Sequence, residues 1–345
     1  MTAEPILVRG VPGSPYTRKM IALLRYRHIP YRWLMGGQGS FPELPKARVE
    51  LLPTLYMRDA GGELEAVVDS TPLIQRLETM FMGRSVLPTD PVLAFIDALI
   101  EDYADEWLTK AMFHYRWHYP ADIEQAGEIL PRWMDTAAPE AQVQQRKTYI
   151  ARRQIDRLYV VGSNPVTTEV IESSYRRLLA LLNARLQQAR FLLGGRPGSA
   201  DFAIYGQLTQ LAKFDPTPMA MALHDAPRVY AWVDVMDDLS GLDVDDDAWL
   251  ARDALGAALR PPLYELLGEI GRTYVPVLLA NATAIANGAA EVRTEVDGLP
   301  WVQQPFPYQA RCLSVLRQAR ARLDHADRDA VDVLLAGTGC MALFD

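Results

Sequence analysis

The 345-residue sequence is 49% hydrophobic and 23% charged and has a formal net charge of −8, which predicts a globular protein of two or three domains. It contains no basic patch, which argues against a nucleic-acid partner, and no apolar run long enough to span a bilayer, which argues against a membrane partner. The two cysteines, Cys312 and Cys340, lie far apart and outside any C-x-x-C pair, so we expect a reducing compartment, the cytoplasm.

The first eighty or so residues alternate apolar patterns of period 2 and period 3.6, which favours a small α/β unit. The predicted elements, in chain order, are strand 6–11, helix 14–26, strand 31–35, strand 54–57, strand 66–69 and helix 70–82. Apolar residues of the last helix, among them Leu73, Ile74 and Leu77, share one face, which we expect to pack on the sheet.

A stretch rich in Gly and Pro, GRSVLPTDP at 83–91, predicts a domain boundary after this unit. We therefore place a first domain at residues 1–83, a linker at 84–90 and an all-α domain at 91–255, where apolar residues recur at helical spacing. Residues 256–345 repeat helical patterns and form an additional helical C-terminal extension, either a third helical layer or an elaboration of the second domain.

One pair of histidines has a spacing that can chelate a metal ion. His114 and His118 lie four residues apart on a predicted helix, which is a geometry that zinc sites use. No Glu follows the first histidine and no third ligand is visible in the sequence. We therefore predict no metal cofactor.

The first helix of the α/β unit begins with the motif SPYT. Ser14 is a favoured N-cap residue, and Pro15 fits the first helical position. A strand, a tight turn and an exposed helix N-terminus together form a place where backbone N–H groups can hold an anion. We therefore treat Ser14 as a candidate binding residue.

Two further motifs in the same unit suggest a site for a small peptide. In LLPTLYM, Pro53 opens a strand, a usual place for a cis peptide bond, and the backbone of Leu52 would then face outward to pair with an extended ligand. In VVDSTP, Asp69 ends a strand and Ser70 begins a helix. A ligand with adjacent ammonium and carboxylate groups would suit that corner.

These motifs resemble the thioredoxin-like N-terminal domain of cytosolic glutathione transferases, and FLLGGRPGSADFAIYGQL resembles the start of the central helix in the family's α-helical second domain. SPYT stands where related proteins carry a Cys-Pro-Tyr-Cys type of motif, Pro53 where they carry a cis-proline, and Asp69-Ser70 where an acid and a serine hold the γ-glutamyl end of glutathione. The resemblance implies glutathione as co-substrate, lying along Leu52 with its sulfur at Ser14, and a homodimer.

The sequence departs from the family pattern in three places. Gly198 stands where the second-domain motif usually has Ser or Thr, so only Asp201 can complete the capping box. Asp69 is shorter than the more usual Glu. The tail beyond about residue 256 has no counterpart in compact members of the family.

Ser14 in place of Cys changes the chemistry that the resemblance implies. A hydroxyl can donate to a thiolate but cannot form a mixed disulfide, so glutathione itself would be the nucleophile, in transfer or lyase chemistry. A hydrogen bond to a charged group contributes about 1.5–3 kcal/mol, which would bring a thiol pKa of about 8.5 close to neutrality. Tyr16 and Arg18 are alternative donors, and Ser14 could be a helix cap alone.

The most aromatic stretch of the chain is EDYADEWLTKAMFHYRWHY at 101–119. In transferases this region lines the hydrophobic substrate pocket. The alternative is that these aromatic side chains pack in the core. The residues that would contact an apolar or aromatic electrophile are Tyr103, Trp107, His114, Tyr115 and His118.

The leading hypothesis is a glutathione-dependent transferase, or a related lyase, that presents the glutathione thiolate to a hydrophobic electrophile. Two alternatives keep the fold without the reaction. One is a binding or scaffolding protein with the extension as its interaction surface, and the other is a glutathione-binding protein without turnover. A rise in melting temperature with glutathione would argue against the first alternative.

Overall fold

The computed structural model describes residues 4–36, 39–245, 248–252 and 262–345. Its first part is a thioredoxin-like domain, a four-stranded mixed sheet in the order β2-β1-β3-β4, with β1 parallel to β2 and antiparallel to β3. The elements are β1 (Ile6–Gly10), α1 (Pro15–Tyr26), β2 (Tyr31–Met35), β3 (Thr54–Arg58), β4 (Leu64–Val67) and α2 (Ser70–Met80). All six predicted elements are therefore present, with small shifts at their ends.

The core of this domain forms where the apolar faces of the helices meet the sheet. Leu23 of α1, Leu55 of β3 and Leu73 of α2 are fully buried. On its other side, α1 packs closely against a helix of the second domain at Gly206, where a Cβ atom would lie 2.6 Å from the carbonyl oxygen of Pro15. Only glycine permits this approach, which fixes the beginning of α1 against the second domain.

The second domain is helical, as predicted. Its helices are α3 (Pro91–Tyr103), a π-helical turn (Ala104–Leu108), α4 (Thr109–His118), α5 (Pro120–Met134), α6 (Glu140–Ile155), α7 (Thr168–Arg185), α8 (Ser199–Leu211), α9 (Pro216–Asp225) and α10 (Pro227–Asp237). Gly198 is the N-cap of α8, and the carboxylate of Asp201 accepts from its N–H at 2.9 Å. The incomplete capping box predicted from the sequence is thus confirmed.

The C-terminal extension is mainly helical, but it also contains a β-hairpin that the sequence analysis did not predict. Its elements are α11 (Pro262–Ala286), β5 (Val292–Val296), β6 (Leu299–Gln303), α12 (Pro307–Arg322), α13 (His325–Leu335) and a terminal 3-10 turn (Cys340–Phe344). Asp297 and Gly298, with φ of 55° and 74°, form the hairpin turn. The predicted boundary at residues 255 and 256 lies outside the described residues.

The extension shares one hydrophobic core with the two domains before it. Trp301 of β6 is fully buried, and its ring centroid lies 5.2 Å from that of Trp107 in the π-helical turn. The hydroxyl of Tyr274 in α11 donates to Asp102 of α3 at 2.7 Å. The extension is therefore an integral part of the folded chain. Within the described ranges, no helix combines the length and hydropathy needed to cross a bilayer.

Candidate functional site

Ser14 caps α1 and lies beside the backbone of Leu52. Its Oγ atom accepts from the N–H of Thr17 at 3.2 Å and donates to the carbonyl oxygen of Leu52 at 3.4 Å. The Leu52–Pro53 peptide bond is cis, as predicted. The helix N-terminus, the hydroxyl and the Leu52 backbone thus meet at one half-buried place.

Two buried side chains of the second domain hold the loop that precedes Ser14. Arg116 of α4 donates to the carbonyl oxygen of Gly13 at 3.1 Å, and Gln210 of α8 donates to that of Pro12 at 3.1 Å. Arg116 is itself fixed by Asp215, at 2.9 Å from its Nε atom. The sequence analysis missed these residues, because no local pattern connects an arginine on α4 to a loop a hundred residues earlier.

Asp69, the acid of the VVDSTP motif, has an unusual backbone conformation and a hydrogen-bond partner in the extension. Its φ is 80°, in a region that non-glycine residues seldom adopt, and its carboxylate makes no capping bond to α2. Instead Oδ2 accepts a hydrogen bond of 2.7 Å from the hydroxyl of Tyr308, in the first turn of α12. The extension therefore reaches the acid corner that the sequence analysis had singled out.

Ser70 belongs to a buried network centred on Lys19. The Lys19 ammonium, 1% exposed, contacts Glu101 and Asp105 at 2.7 Å each and Ser70 Oγ at 3.0 Å, and Ser70 in turn donates to Asp105 at 3.2 Å. Burial lowers the pKa of Lys19, but the two carboxylates outweigh burial and the net pKa is raised. The hydroxyl of Ser70 thus joins α1, α2 and the second domain.

The two alternative thiol donors also have partners within the chain. The hydroxyl of Tyr16 donates to the backbone carbonyl of Asp105 at 2.7 Å. Burial, followed by the charges of Glu106 and Asp105, raises the pKa of Tyr16, which keeps the phenol protonated. The guanidinium of Arg18 forms an ion pair with Asp237 at 2.9 Å.

Four of the five aromatic candidates for the electrophile pocket are buried in this structure. Tyr103, Trp107, His114 and Tyr115 are at most 1% exposed, whereas His118 is exposed. Trp107 donates to Ser174 of α7 at 3.1 Å and packs against Trp301 of the extension, so it is a core residue.

His114 is a neutral, hydrogen-bonded residue of the interior. Its Nδ1 atom lies 2.8 Å from Ser163 Oγ, and its Nε2 atom lies 3.4 Å from Glu172. Burial, followed by the charge of His118, lowers the pKa of His114 to about 4. The described residues contain no group of three or more His, Cys, Asp or Glu side chains arranged to hold a metal ion.

An apolar surface that the sequence analysis missed lies next to Ser14. Leu130 and Trp133 of α5 are half-buried, and a Cβ atom at Gly13 would lie 2.4 Å from Leu130 Cδ2 and 3.4 Å from the Trp133 ring. The amphipathic pattern of α5 gives its apolar face, but it does not tell which part of the chain that face contacts.

Two family models match this chain, one in each of the first two domains. The N-terminal domain of glutathione S-transferases matches residues 9–85, and the C-terminal domain of glutathione S-transferases matches residues 148–234. No protein of curated function matches the sequence significantly.

Several solved structures are distantly similar to this one. A glutathione transferase family member from Pseudomonas fluorescens Pf-5, solved with two glutathione bound, is 13% identical, with 67% of this chain and 88% of that one covered and a TM-score of 0.42. A GST-like protein from Pseudomonas syringae is 15% identical, with 76% and 75% covered and a TM-score of 0.44. FzlA from C. crescentus is 15% identical, with 72% and 96% covered and a TM-score of 0.42.

The two domain matches follow each other in the order in which the structure places the thioredoxin-like and helical domains. The resemblance of SPYT, Pro53 and Asp69-Ser70 to the family's motifs lies within the first match. On these grounds the first two domains of the chain belong to the glutathione transferase superfamily.

Proposed function

We propose that this chain binds glutathione at the N-terminus of α1 and presents its thiolate to an apolar electrophile, as a transferase or a related lyase. The observation that carries the proposal is the position of Ser14, whose hydroxyl lies at a helix N-terminus and 3.4 Å from the carbonyl oxygen of Leu52. A cysteine residue of an extended peptide paired with Leu52 would have its sulfur beside this hydroxyl.

The electrostatics of this place favour a thiolate over a thiol. The N–H groups of α1 carry the positive end of the helix dipole, and no acidic residue in the first turn opposes it. To donate to a thiolate, the Ser14 hydroxyl exchanges its 3.4 Å bond to Leu52, which is long for an O–H···O bond, for a charge-assisted one. Such a bond would lower the thiol pKa by roughly one to two units.

The electrophile would lie beside Gly13, against the solvent-accessible parts of Leu130 and Trp133. These two side chains offer the half-buried apolar surface next to Ser14, whereas four of the five aromatic candidates from the sequence are core residues here. His118, the exposed one, remains a candidate contact for a ligand that extends along α4.

A second candidate function, a transferase-fold protein without catalysis, is favoured by the state of Asp69 and Ser70. Asp69 accepts from Tyr308, and Ser70 is 7% exposed and bonded to Lys19 and Asp105. Both residues that would hold the γ-glutamyl end are therefore occupied by groups of the chain itself.

The binding of glutathione and the ultraviolet absorbance of its thiolate distinguish the two functions. For the proposed enzyme, we expect binding by the wild-type protein and by Ser14→Ala, with the pKa of the bound thiol about one to two units higher in the variant. The control is Asp324→Ala, which removes the side-chain cap of α13 and should leave the thiol unchanged.

Two other outcomes of these measurements would support other roles for the protein or for Ser14. Absence of glutathione binding at a few millimolar would favour the non-catalytic function. An unchanged thiol pKa in Ser14→Ala, with a loss of about 1 kcal/mol in the free energy of unfolding, would make Ser14 a helix cap only.

The compartment and the oligomeric state belong to the proposal as well. Cys312 and Cys340 are both free and buried, which fits a reducing cytoplasm. The homodimer implied by the resemblance is a proposal that sedimentation equilibrium of the full chain would decide.

A further inference from the structure

Tyr308 of the extension is hydrogen-bonded to the carboxylate to which a ligand amino group would bind. In the proposed function, the ammonium group of the γ-glutamyl residue binds the carboxylate of Asp69. In the structure, the Tyr308 hydroxyl already donates to Oδ2 of that carboxylate at 2.7 Å. An ammonium group that binds this oxygen competes with the Tyr308 hydroxyl for it.

The beginning of α12 is held so that Tyr308 faces Asp69. Asn281 of α11 is fully buried and holds the backbone of Phe306, the residue just before α12. Its amide oxygen accepts from the Phe306 N–H at 2.7 Å, and its amide nitrogen donates to the Phe306 carbonyl at 2.9 Å. Gln309, 1% exposed, donates to the backbone carbonyl of Glu106 at 3.4 Å. The backbone on both sides of Tyr308 is therefore anchored, so to leave Asp69 the half-buried side chain itself must turn.

The phenol remains a neutral donor throughout the physiological pH range. Burial, followed by the charge of Asp69 and the hydrogen bond to it, raises the pKa of Tyr308. A neutral hydroxyl bonded to a carboxylate is a weaker partner than an ammonium group bonded to the same carboxylate, because only the second pair attracts as opposite charges.

We infer that Tyr308 limits the affinity of the proposed glutathione site: its hydroxyl screens Asp69, and a ligand with a charged amino group must displace it. The inference rests on the proposed function. It makes the C-terminal extension part of the site at which γ-glutamyl peptides with a free α-amino group would bind.

The test measures the binding of two peptides by calorimetry to the full-length wild-type protein and to Tyr308→Phe. One peptide is glutathione, and the other is glutaryl-cysteinyl-glycine, which lacks only the α-amino group. We expect Tyr308→Phe to bind glutathione about tenfold more tightly, because the ligand no longer replaces an existing hydrogen bond. The affinity for the glutaryl peptide should change by less than about twofold.

The matched control is Tyr274→Phe. It removes a buried tyrosine–aspartate hydrogen bond, also 2.7 Å long, that joins the extension to Asp102 of the second domain and leaves the Asp69 side chain unchanged. It should leave both affinities unchanged, so a gain in Tyr274→Phe would show that a loosened extension, and not the freed carboxylate, improves binding. That result would overturn the inference.

A second variant, Asp69→Asn, tests the acceptor and does not depend on the result for Tyr308→Phe. In Asp69→Asn the acceptor has no charge, and we expect glutathione to bind no better than the glutaryl peptide. Equal glutathione affinity in wild type and Tyr308→Phe would overturn the inference and leave the proposed function standing. Failure of every protein to bind either peptide would remove the proposed function and the inference together.

Discussion

Lys19 is a buried ammonium group whose partners come from two other parts of the fold. Replacing it with Met keeps the volume of the side chain but leaves the carboxylates of Glu101 and Asp105 without their cation. Removing one partner of a buried ion pair costs about 3–5 kcal/mol, because the remaining charge stays in a medium of low dielectric constant. We expect that loss in the free energy of unfolding of Lys19→Met, measured by urea denaturation.

Lys147 offers a matched control on the protein surface. Its ammonium also contacts two carboxylates, those of Glu124 and Glu128, but the side chain of Glu124 is 67% exposed. Surface pairs of this kind contribute at most about 1 kcal/mol, so Lys147→Met should change stability little. Equal losses in the two variants would mean that water reaches the Lys19 network.

At the scale of elements, the contact between α3 and the start of α8 depends on a carboxyl group. Asp97 of α3, 1% exposed, accepts from the hydroxyl of Ser199 and from the Ala200 N–H at 3.1 Å. Burial raises the pKa of Asp97 to about 8, whereas the group titrates near 4 in the unfolded chain.

The raised pKa of Asp97 makes the stability of the protein depend on pH. Between about pH 4 and pH 8 the folded state holds more protons than the unfolded state, so stability falls as pH rises, by up to about 1.4 kcal/mol per pH unit for one proton. In Asp97→Asn this contribution is absent, because the amide can accept from Ala200 and donate to Ser199 without a charge. We expect a shallower fall in urea-denaturation free energy across that range.

Asp234 provides the comparison for this pH dependence. Its side chain on α10 is 70% exposed and pairs with Lys213 at 2.7 Å. Asp234→Asn should therefore follow the wild-type pH profile. A profile of Asp97→Asn as steep as that of the wild type would assign the pH dependence to other buried carboxyl groups, such as Asp201, whose pKa burial raises to about 7.

Helices and strands are predicted well where the apolar residues follow one clear spacing along the sequence. All six elements of the first domain were predicted, because apolar residues alternate in the strands and recur every three to four residues in α1 and α2. The hairpin of the extension was missed, although Asp297-Gly298 is a strong local signal for a two-residue turn. Its strands are short, and their burial depends on Trp107, far away in the chain.

At the scale of the whole molecule, Trp301 joins the extension to the rest of the core. Its indole is fully buried against Trp107, so replacing it with Ala removes a large apolar surface and leaves a cavity. Such a change costs about 3–5 kcal/mol. We expect Trp301→Ala to shift one cooperative unfolding transition of the entire chain, followed in parallel by circular dichroism and tryptophan fluorescence.

Val333 serves as the comparison within the extension. It lies on α13 with 75% of its side chain exposed, so Val333→Ala should leave the transition in place. Two separate transitions in Trp301→Ala, with only one of them shifted, would show that the extension unfolds independently of the other two domains.

In the candidate site, as in the fold, local motifs could be predicted and long-range contacts could not. Ser14, Leu52 and Pro53 were predicted because local motifs mark them, and the structure brings them together. Tyr308 could not be predicted as a partner of Asp69, because 239 residues separate the two and no periodic pattern spans that distance. The burial of the aromatic stretch depends on the same long-range packing.

The position of Trp301, far beyond Trp107 in the sequence, has a consequence for biosynthesis. A ribosome releases the residues of α3 and the π-helical turn long before it translates the hairpin that covers Trp107. Until this hairpin emerges, the nascent second domain exposes this apolar surface, which chaperones recognise and which promotes aggregation. We therefore expect the core around Trp107 to close only after the hairpin has been translated.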